Sequence, residues 1–115
     1  MSVRKAFDLS GRKAIVTGGS RGLGLQIAEA LAEMGAEVLL AARKVDELEA
    51  AVASLKRQGA TAHALPADLA KPESITEFAE AALARLTSCD ILVNNAGATW
   101  GRRPRTILWM PGSSF

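Results

Sequence analysis

The sequence predicts an α/β chain built on a doubly wound parallel sheet, and three observations carry that prediction. Short runs that read as buried strands recur at residues 13–16, 37–42, 61–65 and 90–94. Between them lie longer stretches whose apolar residues fall three and four apart, the period of a helix packed on one side. Glycines stand where the first strand gives way to a helix and where two of the helices end. Strands and helices alternating in this way need crossovers, and crossovers imply a parallel sheet with helices on both faces.

Each element follows from its residues. Residues 7–12 are a lead-in with a turn at Gly11, and Lys13-Ala14-Ile15-Val16 is the first strand. The helix over 25–34 gathers Leu23, Ile27, Ala28, Leu31 and Met34 on one stripe, turns Gln26, Glu29 and Glu33 outward, and stops at Gly35. Residues 37–42 are nearly all apolar, as a strand covered on both faces should be. The second helix, 46–58, places Val45, Leu48, Val52 and Leu55 inward and closes at Gly59. A third strand covers 61–65. Pro72 starts the third helix, which runs to Leu86 with Ile75, Phe78, Ala82 and Leu86 inward. Asp90-Ile91-Leu92-Val93-Asn94 is the fourth strand, and the sheet is expected to stop there. Pro104, Pro111 and Gly112 break both periods, so residues 102–115 read as an irregular tail.

Composition bounds the function. At 115 residues the chain is one domain at most, and 49% hydrophobic residues suffice for a core. The single cysteine, Cys89, excludes an internal disulfide and fits a reducing compartment. The first ten residues hold no long apolar run, so no signal peptide is expected. No stretch approaches the ~20 apolar residues of a membrane span. A soluble, cytoplasmic protein with no membrane partner is the expectation. Net charge is only +2, and three arginines, Arg102, Arg103 and Arg105, crowd the tail. A nucleic-acid reading would rest on them alone and would show as salt-dependent binding lost with them; without an aromatic ladder, no nucleic-acid partner is expected. His63 has no cluster of ligands around it, so no metal is expected. Cys89 reads as a small buried hydrophobe, and Met34 and Met110 carry no cofactor signal.

The chemistry sits in the loops. Thr17-Gly18-Gly19-Ser20-Arg21-Gly22-Leu23-Gly24 joins the first strand to the first helix. Glycines permit a tight turn and let a ligand approach the backbone. The free N–H groups and positive dipole end of the following helix suit a pyrophosphate. A ligand-free glycine turn is the alternative, but the strand before and helix after favour a dinucleotide site. The Gly-Lys-Ser/Thr ending of a nucleotide-triphosphate loop is absent, which argues against ATP chemistry.

Three further loops lie at strand ends. Ala42-Arg43-Lys44 follows the second strand where NAD sites place an acid for the ribose 2′-hydroxyl. With no carboxylate there, Arg43, helped by Arg21, suits a 2′-phosphate, since a guanidinium fork matches phosphate oxygens; solvation of a loop is the alternative. Asp68 and Leu69 follow the third strand, where the carboxylate can accept from an exocyclic amine or serve as a helix cap. Asn94-Asn95-Ala96-Gly97 ends the fourth strand, either as a plain turn or as amides bridging strands beside a ligand.

These four loops together resemble the short-chain dehydrogenase/reductase family over residues 7–101. The resemblance implies a Rossmann-type fold and a dinucleotide-binding half-domain at 1–101, followed by the tail at 102–115. It implies hydride transfer between NADP(H), with NAD possible, and a carbonyl or alcohol substrate. Cofactor contacts would come from Gly18, Gly19, Ser20, Arg21, Gly22, Leu23, Gly24, Arg43, Asp68, Leu69, Asn94, Ala96 and Gly97. Within the family, the loops look most like gluconate 5-dehydrogenase-type reductases. A homo-oligomer is expected of a full-length relative. The family's catalysis uses a serine, a tyrosine and a lysine four residues later, beyond the Asn-Asn-Ala-Gly stretch. The chain has no tyrosine, so no residue is given a catalytic role, and a non-catalytic dinucleotide-binding module or a non-functional product is the alternative.

The tail carries a further expectation, a reading-frame shift near Gly101. Trp109 and Met110 have the single codons TGG and ATG, and a proline codon begins CC. Displaced, these bases read GAT and GCC, Asp-Ala, and permissive codons let the whole tail read Pro-Pro-Ala-Glu-Asp-Tyr-Pro-Val-Asp-Ala-Trp-Glu-Gln-Phe. That resembles family sequence after this motif. A sheet ending at the fourth strand would leave an edge uncovered, so a marginal product that binds NADPH weakly is expected.

Overall fold

The computed structural model describes residues 8–95 and, as backbone, 106–109. Eight elements follow one another: β1 (Lys13–Thr17), α1 (Gly22–Glu33), β2 (Glu37–Ala42), α2 (Val45–Arg57), β3 (Ala62–Pro66), α3 (Pro72–Leu86), β4 (Ile91–Asn94) and β5 (Thr106–Trp109). The sheet order is β3-β2-β1-β4-β5. β1 pairs in parallel with both β2 and β4, and β2 with β3. The four-stranded parallel sheet read from the sequence is therefore present.

The chain walks outward from β1 through β2 to β3, then returns across the sheet through α3 to lay β4 on the other side of β1. With right-handed crossovers, that reversal puts α3 on the face opposite α1 and α2. The buried side chains divide accordingly. Ala14, Val16, Val38, Leu40, Ile91 and Val93 point to one face, where Ala28 of α1 and Leu48, Ala51, Val52 and Leu55 of α2 cover them. Ile15 and Leu39 point to the other, against Ala82 and Leu86 of α3 and the buried Cys89. Alternation along each strand sends successive residues to opposite faces.

Specific polar contacts fix the amino ends of the central strands. The Asp90 carboxylate accepts from the Lys13 N–H at 2.9 Å, and the Asp90 N–H donates to the Lys13 carbonyl at 2.8 Å. Arg12 stands 3.9 Å from the same carboxylate. His63 and Glu37, on adjacent strands, meet at 2.6 Å. α3 ends at Thr87, the C-cap, with φ 69°, and the Lys13 ammonium donates to Leu86 O and Thr87 Oγ1 there.

Two expectations are corrected. Leu23, Val45, Ile75 and Met34, read as inward, are exposed at 44, 44, 51 and 38%. The first three lie in the first turns of α1, α2 and α3, and Met34 is the C-cap of α1. The helical period continues through them, but among the described residues nothing closes over these four, whereas Leu48, Leu55 and Leu86, also in terminal turns, are fully buried. The second correction concerns where the sheet ends, expected at the fourth strand. Thr106–Trp109, a run of β-formers, pairs antiparallel with β4, Asn94 opposite Thr106 and Ile91 opposite Trp109. The sheet thus continues one strand past β4, and the edge expected to be uncovered is paired. Arg102, Arg103 and Arg105 lie outside the described residues.

Candidate functional site

The order of the sheet reverses between β1 and β4, and crevices at such a switch point, beyond the carboxyl ends of the strands, are where open α/β sheets hold ligands. The glycine loop leaves β1 there. Its path is set by backbone bonds: the Gly18 N–H donates to Ala41 O of the neighbouring strand at 2.7 Å, and the Gly19 N–H reaches the same carbonyl at 3.3 Å. Gly18 and Gly22 have φ of 67° and 62°, the left-handed region that glycine enters without a Cβ penalty.

Gly24 is required for a different reason. A Cβ there would stand 2.1 Å from the Gly18 carbonyl oxygen and 2.8 Å from Asn95 Nδ2. Only a glycine lets α1 start this close under the loop. At Gly19 a Cβ would meet Leu40 Cδ2 at 3.0 Å and the Val16 carbonyl at 3.2 Å, so the loop also hugs the sheet.

The start of α1 can receive an anion. Its N-cap, Arg21, makes no side-chain cap, and its first turn holds no acidic residue. The first N–H groups of a helix have no acceptor within it, and a negative group is favoured there by the dipole. A pyrophosphate supplies that charge and the acceptor oxygens, so the loop fits the group the sequence suggests.

Thr17 and Asn95 tie the loop to β4. The Asn95 N–H donates to Thr17 Oγ1 at 2.9 Å, and Asn95 Nδ2 donates to Gly18 O at 3.4 Å. The single Thr17 hydroxyl proton is shared between Asn94 Oδ1 at 3.1 Å and Val93 O at 3.3 Å. The Asn-Asn pair therefore bridges the two strands flanking the switch point. The bridging read from the two amides is thus present, with Thr17 as the partner on β1 that the sequence does not single out. Ala96 and Gly97 lie outside the described residues.

Asp68 does not cap α3, whose N-cap is Lys71. Its Oδ1 accepts from the Ala70 N–H at 3.1 Å, an Asx turn in the loop after β3. Asp68 and Leu69 are both half-buried, so neither is closed off from a ligand.

Arg43 is exposed at the end of β2, and Lys44 takes the N-cap position of α2. Sequence reasoning missed Glu47. From the first turn of α2 its carboxylate lies 3.5 Å from Ser20 Oγ, 3.9 Å from Arg21 Nε and 3.8 Å from Lys44 Nζ. It thus links the glycine loop to the segment after β2. Exposed pairs at such distances stabilise a fold little.

Among the described residues, no group of three His, Cys, Asp or Glu side chains is placed to hold a metal ion, and no helix is long and apolar enough to cross a membrane.

Comparison with known proteins bears on the family and the fold. The pattern of the short-chain dehydrogenase family matches residues 12–107. An uncharacterised oxidoreductase of Mycobacterium tuberculosis is 43% identical over 102 residues, which are 89% of this chain and 38% of that protein. Gluconate 5-dehydrogenase of Gluconobacter oxydans is 38% identical over 97 residues, 84% of this chain and 38% of the enzyme. The crystal structure of a 3-oxoacyl-(acyl-carrier-protein) reductase from Agrobacterium tumefaciens with NADP bound superposes with a TM-score of 0.77 at 42% identity, covering 84% of this chain and 37% of the reductase. The chain spans less than two fifths of the length of these proteins.

Proposed function

The chain belongs to the short-chain dehydrogenase family, and from that premise we propose that it forms the pyrophosphate and adenosine side of an NADP(H) site in a hydride-transferring oxidoreductase. The observation that carries the cofactor choice is the end of β2: Ala42 and Arg43 stand there, with Arg21 as a second cation from the loop. A carboxylate at this place would hold a ribose 2′-hydroxyl and repel a 2′-phosphate; arginine does the opposite.

In this reading the Gly18–Gly24 backbone and the start of α1 receive the pyrophosphate, with Ser20, Gly22 and Leu23 in the same turn. Arg21 and Arg43 face the 2′-phosphate, Asp68 and Leu69 the adenine. Asn94, with Ala96 and Gly97, borders the nicotinamide ribose. When bound, the nicotinamide supplies or accepts a hydride; these residues hold and orient it. The proton-transferring groups are expected in the part of the family fold that this chain does not match. The substrate is a small carbonyl or alcohol; gluconate and 3-oxoacyl chemistry both occur among the relatives, so neither is assigned. Full-length relatives are expected to be homo-oligomers and cytoplasmic.

The test is a fluorescence titration of the full chain with NADPH and with NADH. NADPH should bind more tightly than NADH, and Gly24→Ala should abolish binding of both, because its Cβ displaces the loop. Tighter NADH binding would overturn the cofactor assignment, and unimpaired binding by Gly24→Ala would overturn the site.

A further inference from the structure

We propose that Glu47 is a specificity-determining residue, an internal counter-ion that occupies the cationic seat of the 2′-phosphate until the nucleotide displaces it. The inference rests on the NADP(H) reading above. Glu47 belongs to no loop motif, yet its carboxylate draws together groups from both sides of the proposed seat. Ser20 and Arg21 come from the glycine loop, and Lys44 from the segment after β2, at 3.5, 3.9 and 3.8 Å.

The geometry suits a displaceable contact rather than a structural lock. None of the three distances reaches the range of a close charge-assisted hydrogen bond. Arg21 and Lys44 are 76% and 66% exposed, and Glu47 itself 36%. A phosphate brings more charge and more acceptor oxygens to Arg21, the seat cation that Glu47 holds, and the guanidinium can engage it through two parallel bonds. Glu47 must then withdraw, or remain beside the phosphate as a like charge. Either way its charge opposes the 2′-phosphate and leaves a 2′-hydroxyl nearly untouched. The carboxylate therefore narrows the preference for NADP(H) over NAD(H).

Glu47→Gln tests this, since glutamine keeps the length and the first-turn compatibility of the side chain while removing its charge. With NADPH and NADH titrated at low ionic strength, the ratio of their affinities should shift toward NADPH by about three- to tenfold, the size expected of one exposed charge near a phosphate. Raising the salt should shrink the shift. Asp46→Asn removes the same charge one residue away, where no contact to the loop exists among the described residues, and should leave the ratio unchanged. Glu47→Asp retains the charge on a shorter arm and should give a smaller shift, which keeps the test open should Glu47→Gln fold poorly. An unchanged or lowered ratio in Glu47→Gln, or an equal shift in Asp46→Asn, overturns the inference while the cofactor reading stands. Failure of the wild-type chain to bind either nucleotide overturns the cofactor reading and this inference with it.

Discussion

Cys89 is fully buried beside β4 and donates its S–H to the Ile91 carbonyl at 3.3 Å. Burial, aided by the neighbouring Asp90 carboxylate, pushes its thiol above the ordinary value of 9.0. The folded chain therefore keeps the thiol neutral at pH values where the unfolded chain ionises it. Below about pH 9 both states are protonated and the contribution is intact; it is lost as pH rises through the folded-state pKa. Melting temperature should accordingly fall more between pH 8 and pH 10.5 in the wild type than in Cys89→Ala. Equal losses in the two proteins would assign the alkaline instability to other groups. Legibility at this scale depends on how local the requirement is. Gly18, Gly22 and Gly24 were readable because backbone conformation and close approach exclude other residues. Glu47 was not, because it meets Ser20 and Arg21 only after a helix and a strand have folded between them. In the sequence it is merely an acid in a first turn. Ala96 and Gly97 are legible as motif residues, but they lie outside the described structure.

At the scale of elements, α3 carries an unfavourable ending. Thr87 has φ 69°, the only positive φ among the described non-glycine residues, and a β-branched side chain in the left-handed region costs on the order of 1–2 kcal/mol. α1 and α2 are followed instead by glycines in that region, Gly35 and Gly59, at φ 104° and 92°. Thr87→Gly should therefore stabilise the chain by about 1 kcal/mol, raising the melting temperature by roughly 4–8 °C. The gain survives loss of the hydroxyl because Lys13 keeps its bond to the Leu86 carbonyl. An unchanged or lower melting temperature would mean that the Lys13–Thr87 contact outweighs the backbone strain. The glycines explain why the ends of α1 and α2 were readable from sequence. Burial in terminal turns was not, because periodicity fixes which face a residue shares but not whether anything lies opposite. β5 escaped for a related reason: its four residues are too short a run to separate from the turn formers around them until β4 offers an edge.

Across the whole molecule the two faces of the sheet are unequally held. Among the described residues, α1 and α2 cover one face with a cluster of thirteen buried residues, whereas five lie between α3 and the other. Hydrophobic stabilisation scales with apolar area removed from water, so opening need not be uniform. Elements with fewer buried apolar contacts open at lower free energy. α3 is also the element whose crossing places β4 beside β1, and through β4 it positions Asn94 and Asn95 against Thr17. Its detachment would loosen the β4 side of the crevice first and leave the glycine loop, anchored between β1 and β2, in place. Amide hydrogen exchange should therefore show the lowest protection in α3, intermediate protection in β4, and the highest in β1, β2 and the buried turns of α2. NADPH should protect the start of α1 more than α3, since the proposed pyrophosphate seat lies at the former. If α3 instead exchanges as slowly as β2, the domain opens only as a whole, and the thinner face is no weaker than the thicker one. That result would require the contacts of Phe78, Leu83 and Leu86 with the sheet to compensate in packing quality for what they lack in number.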